Sequence, residues 1–189
     1  MKYKLIIIGG SAGSFQLVTK ILSKLPAGFN IPVVLALHRL KHIRHGFVEA
    51  LSIKSVLPVI EPLDKEGLKP GKVYLAPANY HLYIELAGKF ALSTEEPVNH
   101  SRPAIDLTFA TGAYCYKEKT VGIILSGANK DGAAGLKKVK DYGGLTIVQD
   151  PSESQMPTMP TAAIEKAGQV DHIMKVDEII RFLTSLNQM

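Results

Sequence analysis

Ile6-Ile7-Ile8-Gly9-Gly10-Ser11-Ala12-Gly13-Ser14 is an apolar, β-branched run that ends in a glycine-rich turn. With Leu5 ahead of it, the run suits a strand buried on both faces of a parallel sheet. Phe15–Leu25 then carries apolar residues at helical spacing and stops at Pro26, and Val33–Leu37 repeats the buried-strand pattern. The start of the chain therefore reads strand, helix, parallel strand. Ser11 sits where the first strand turns into the helix, inside the GxSxG match Gly9-Gly10-Ser11-Ala12-Gly13, a place that displays a hydroxyl beyond the sheet edge.

Such turns also bind phosphate or simply turn the chain. The dinucleotide pattern GxGxxG fails because Ser11 stands where its second glycine belongs. A Walker-type loop fails because no Lys-Ser or Lys-Thr pair follows Gly13 at the required spacing. Nucleotide binding at Gly9–Gly13 is kept as a third reading behind catalysis and a binding module.

The 189 residues, 46% hydrophobic and 21% charged, are enough for one domain, 1–189, with its own core, and they show no repeat or low-complexity tract. Cys115 is the only cysteine, so an intrachain disulfide and a cysteine-based zinc site are both excluded; a cytoplasmic location is the expectation. Leu5–Ile8 is too short to cross a bilayer and lacks a cleavage site, so no membrane insertion is expected. A net charge of +5 mildly favours an acidic partner. Part of that charge is local, in His38-Arg39-Leu40-Lys41-His42-Ile43-Arg44-His45, which reads equally as a solvated loop or an anion-seeking patch.

Gly46–Ile53 reads as a helix. Val56–Glu61, Lys72–Ala76, His81–Leu86 and Lys89–Leu92 read as short strands between Pro, Gly and Asn turns, suggesting a small antiparallel hairpin insertion or edge. Alternation resumes with helix Ile105–Tyr116, strand Val121–Leu125, a helix from near Asp131, strand Leu145–Gln149, and helices Thr161–Ala167 and Asp177–Leu186. The fold class is α/β, a doubly wound, mostly parallel sheet with a small antiparallel hairpin insertion.

In such sheets ligands sit beyond the carboxyl ends of the strands, where the winding reverses. Ser11, His38 and Asp131 all fall at such ends. They have the chemistry of a nucleophile, a general base and a carboxylate that orients the base. His42, His45, His81, His100 and His172 are rivals for the base, and Asp131 also reads as a helix-capping acid. The order Ser, His, Asp, with serine on the first strand, disfavours a typical α/β-hydrolase.

Taken together the motifs resemble the catalytic domain of the bacterial chemotaxis protein-glutamate methylesterases (CheB type). Ile8–Gly13 is similar to the serine loop of that family, and Leu37-His38 with Gly46-Phe47 to its histidine segment. Val73–Leu82 and Arg102–Asp106 resemble two middle motifs. Gly122–Gly127 with Asp131–Leu136 resembles the aspartate segment, and Met159-Pro160 with Ala163-Ile164 a later loop. The resemblance implies a serine hydrolase in which Ser11, His38 and Asp131 are catalytic and the backbone amides of Ala128 and Ala12 hold the oxyanion. It implies removal of methyl groups from glutamate methyl esters on the cytoplasmic helices of chemoreceptors, some members also deamidating receptor glutamines. No metal, organic cofactor or nucleic acid is expected.

The chain departs from the family pattern at Ala12 (threonine), Ala128 (methionine), Asn129-Lys130 (a more glycine-like stretch) and Ser14 (glycine), and lacks the proline after the histidine. These departures motivate the runner-up, a catalytically silent scaffold that docks to a receptor or signalling partner. Because the serine strand starts at residue 5, the expectation is a stand-alone domain without the phospho-receiver domain of the regulated form, and hence regulation by a partner in trans.

Overall fold

The computed structural model describes residues 2–39 and 46–186, so His42 and His45 lie outside the described residues. Their elements run β1 (Leu5–Gly10), α1 (Ser14–Leu22), β2 (Val33–Leu37), α2 (Phe47–Ser52), β3 (Val59–Ile60), β4 (Val73–Leu75), β5 (His81–Ile84), β6 (Phe90–Ser93), α3 (Ile105–Tyr116), β7 (Thr120–Ile124), α4 (Ala133–Asp141), β8 (Leu145–Gln149), α5 (Thr158–Ala167), β9 (His172–Met174) and α6 (Val176–Ser185).

Seven strands form one sheet in the order β3-β4-β2-β1-β7-β8-β9, with every pairing parallel. The chain leaves β1 toward β2 and later returns to β7 on the other side, so the winding reverses between β1 and β7. That reversal opens a crevice at the carboxyl ends of the strands.

The two-residue period of each strand divides the core in two. Ile6, Ile8, Val33, Leu35, Val121 and Ile123 pack against Val18, Ile21 and Leu22 of α1 and Ile179 and Leu183 of α6. Leu5, Ile7, Val34 and Ile124 face the other way, onto Ile105 and Phe109 of α3, Leu136 and Val139 of α4 and Met159 of α5. Both layers are buried, which is why β1, β2 and β7 read as continuous apolar runs.

Two differences from the sequence reading have plain causes. Of the four short middle strands, only β5 and β6 form the antiparallel hairpin; β3 and β4 instead extend the parallel sheet. Two or three apolar or aromatic residues suit either geometry, and only the available edge of β2 decides. Strand β9 was not anticipated, because an edge strand of three residues with His172 and Ile173 exposed carries no apolar signature.

Helices α3 and α4 approach closely at Gly135. A Cβ there would lie 2.6 Å from Phe109 Cβ and 2.9 Å from both the Asp106 Cα and its carbonyl oxygen. Alanine ordinarily gains about 1 kcal/mol over glycine inside a helix. Here backbone atoms stand in the way and the helices must separate, so overpacking of about 1–3 kcal/mol wins. Gly135→Ala is expected to lower the unfolding free energy by up to about 2 kcal/mol net, read as a fall in the urea midpoint, whereas a rise would show that α3 and α4 can move apart freely.

Candidate active site

Ser11 leaves the end of β1 and His38 the end of β2, and the two strands are in register, Gly10 opposite Leu37. The pairing continues one step, since His38 N–H donates to the Gly10 carbonyl at 3.0 Å. The serine loop is fixed by its backbone. Ser11 N–H donates to the Ser126 carbonyl at 2.9 Å, while Ser14 donates from both N–H and Oγ to the Ser11 carbonyl, at 3.0 and 2.7 Å. Gly13 has φ +80°, and a Cβ on it would meet Gln155 Oε1 at 2.7 Å and Ser126 Oγ at 2.9 Å. Only glycine satisfies both limits.

Ser126, which follows β7, links this loop to a second one. Its Oγ donates to the Ala12 carbonyl at 2.8 Å and accepts Met156 N–H at 2.9 Å, while Gln149 Oε1 at the end of β8 accepts its N–H at 2.8 Å. The amides of Ala12 and Ala128, the expected oxyanion donors, make no hydrogen bond to protein groups among the described residues, and both residues are exposed. Donors in that state are available to a ligand.

Asp131 is fully buried. Its Oδ2 accepts His38 Nε2–H at 2.7 Å and Ile105 N–H at 2.6 Å. Its Oδ1 accepts from Asn99 Nδ2 at 2.9 Å, Asp106 N–H at 3.1 Å and Gly132 N–H at 3.0 Å. The capping reading of Asp131 is therefore also true, though for a different helix: it caps α3, whose own N-cap residue, Ala104, offers no side-chain acceptor. Asp106 of α3 returns the arrangement, accepting Gly135 N–H of α4 at 2.7 Å. Each helix N-terminus is capped by a carboxylate that belongs to the other.

Burial raises the Asp131 carboxyl, but its bonds from His38, Asn99 and the α3 amides prevail and hold it below the usual aspartate range. Asp106 moves the other way, raised first by burial and further by the charge of Asp131, against the opposing Gly135 bond. Asn99 donates to both carboxylates, at 2.9 Å to Asp131 and 2.8 Å to Asp106 Oδ2.

With Nε2–H given to Asp131, the ring nitrogen of His38 left with a lone pair is Nδ1. Ser11 Oγ makes no hydrogen bond to it among the described residues. Asn129 Nδ2 at 3.3 Å and Ser101 Oγ at 3.5 Å face it instead. The structure thus joins His38 to Asp131 and sets Ser11 beside them by strand register. Of the rival histidines, His81 is a satisfied core residue bonded to the Glu96 carbonyl and the Ala104 amide, His100 is exposed, and His172 lies exposed on the edge strand. Asn99 and Ser101 carry no signal in the sequence beyond nearness to the Arg102-Pro103 motif, and Ser126 only its place inside the Gly122–Gly127 motif. Among the described residues no group of three or more His, Cys, Asp or Glu side chains is placed to hold a metal, and no helix is long and apolar enough to cross a membrane.

The fold and site define a class: a doubly wound α/β domain with a histidine–aspartate pair beside a serine turn at its switch point. Residues 6–183 match the family model described as CheB methylesterase. A Leptospira interrogans relative is 42% identical over 188 residues, spanning all of this chain and 97% of its own length. A Thermotoga maritima protein named protein-glutamate methylesterase/protein-glutamine glutaminase is 36% identical over 97% of this chain, which covers 54% of that longer protein. The crystal structure of the Thermotoga maritima CheB methylesterase catalytic domain superposes with a TM-score of 0.91 at 35% identity, over 98% of this chain and all of that one. The chain belongs to the CheB methylesterase family.

The lowered carboxyl of Asp131 has a consequence with a definite sign. A carboxylate whose folded pKa lies below its unfolded value stabilises the fold above the unfolded pKa of about 3.9, and that stability is lost as pH falls through the folded value. Asp131→Asn is expected to cost about 3 kcal/mol at neutral pH. Its deficit relative to the parent should shrink in urea titrations below about pH 4. A deficit independent of pH would show that Asp131 is not ionised in the fold.

Proposed function

We propose that this chain is a serine hydrolase that removes methyl groups from glutamate methyl esters on the cytoplasmic helices of chemoreceptors. The observation that carries the reading is the His38–Asp131 pair held beside the Ser11 turn in a chain of the CheB methylesterase family. The names of the relatives support the substrate class, and the surplus positive charge of +5 suits acidic receptor helices.

In this mechanism Ser11 Oγ attacks the ester carbonyl while His38 Nδ1 takes its proton. Asp131 holds the ring by Nε2–H and stabilises the imidazolium that forms. The amides of Ala128 and Ala12 receive the oxyanion. As the tetrahedral intermediate collapses, His38 returns the proton to the departing methoxide, giving methanol and a glutamyl ester of Ser11. A water molecule, deprotonated by the same nitrogen, then hydrolyses that ester and restores the hydroxyl. A glutamine substrate follows the same course with ammonia leaving, in keeping with the glutaminase part of the relatives' names. The reading places the chain in the cytoplasm.

The silent-scaffold reading draws on the absence of a Ser11–His38 hydrogen bond, and a serine-reactive phosphonate separates the two. Adduct formation on Ser11 supports the enzyme; an unlabelled protein that binds receptor tightly supports the scaffold. Ser11→Ala is expected to cut methanol release from methylated receptor by at least about 1,000-fold while the circular dichroism spectrum is unchanged. Release at the parent rate would remove Ser11 as nucleophile.

A further inference from the structure

Asp131 takes one ring nitrogen of His38, so whatever faces the other decides what the imidazole can do. In this structure that group is Asn129, whose Nδ2 lies 3.3 Å from His38 Nδ1. Its orientation is set within its own loop. Asn129 Oδ1 accepts the Asp131 N–H at 3.1 Å, an Asx-type turn, and this leaves the NH2 side of the amide toward the ring.

We infer that Asn129 is a positioning residue that gates the base nitrogen of His38. An NH2 aimed at Nδ1 bonds the lone pair of a neutral ring and opposes a proton at that atom. It also competes with the Ser11 hydroxyl for the same lone pair. Asn129 therefore occupies the atom that has to take the Ser11 proton, and it must swing aside before Ser11 can be activated. The inference rests on the assignment of Ser11, His38 and Asp131 given above and adds to it the residue that regulates access to the base.

Asp131 faces Nε2. Ser101 Oγ lies 3.5 Å from Nδ1, at the limit of a hydrogen bond. Arg39, His100 and Arg102 line a cleft of about 80 Å³ with His38, and the Arg39 guanidinium is paired with Glu61. All of these remain in a variant at position 129, so a difference between that variant and the parent reports on Asn129.

The test uses Asn129→Ser, which keeps a short acceptor for the turn but does not reach the ring, and Asn129→Asp, which places an acceptor where the donor was. The first readout is independent of catalysis: the His38 imidazole is titrated by nitrogen-15 NMR in the whole chain. The midpoint is expected to rise by about half to one pH unit in Asn129→Ser, the equivalent of one lost hydrogen bond, and further in Asn129→Asp. The second readout is kcat/KM for ester hydrolysis against pH. In Asn129→Ser the acid limb should move up by the same interval, while the plateau above it rises several-fold because the competing donor is gone. General damage to the loop would lower the plateau and leave the midpoint in place. A His38 midpoint in Asn129→Ser that coincides with the parent's overturns the inference, whatever the rate does. Failure of the underlying assignment looks different: the midpoints move as stated, and Ser11→Ala still hydrolyses the ester at the parent rate.

Discussion

One fully buried carboxylate, Asp131, organises the functional end of this molecule. A charge out of contact with water is costly unless every lone pair finds a donor, and here donors arrive from four separate parts of the chain. His38 comes from the end of β2, Asn99 from the loop ahead of α3, Ile105 and Asp106 from the first turn of α3, and Gly132 from the residue before α4. None of these segments can shift without leaving Asp131 underbonded. The site is rigid because the carboxylate makes it so.

The same arrangement connects stability to chemistry. The N-termini of α3 and α4 bring partial positive charge to the two carboxylates, and each helix supplies the acid that the other needs. This favours Asp131 as a carboxylate, and a carboxylate at Nε2 fixes the tautomer in which Nδ1 carries the lone pair. A residue that looks like a helix cap and a residue that orients a histidine are thus one residue with one electrostatic role. The small side of Gly135 is part of the same device, since it lets the helices come close enough to exchange their caps.

Around this anchor the loops are joined by their backbones. Ser126 ties the serine turn to the segment ahead of α5, and Gln149 ties Ser126 to β8. Ala12 and Ala128 are exposed on these loops and carry no more than a methyl group. Asn129 differs from them because its side chain reaches the ring of His38.

Leu5–Gly13, Val33–His38 and Val121–Asp131 made the parallel sheet and the candidate residues legible in the sequence, because strands buried on both faces must be continuous apolar runs and a ligand site must follow their carboxyl ends. The sequence could not decide which sheet the short Val59–Ile60 and Val73–Leu75 strands would join, nor reveal the exposed edge strand His172–Met174, because two or three residues carry no resolvable period. Nor could it choose between Asp131 as cap and Asp131 as partner of His38. It gave no sign that Asn99 would bridge two carboxylates or that Asn129 would stand at the base nitrogen. Those facts depend on hydrogen bonds between residues as far as 93 positions apart, and only the folded chain brings such groups within bonding distance.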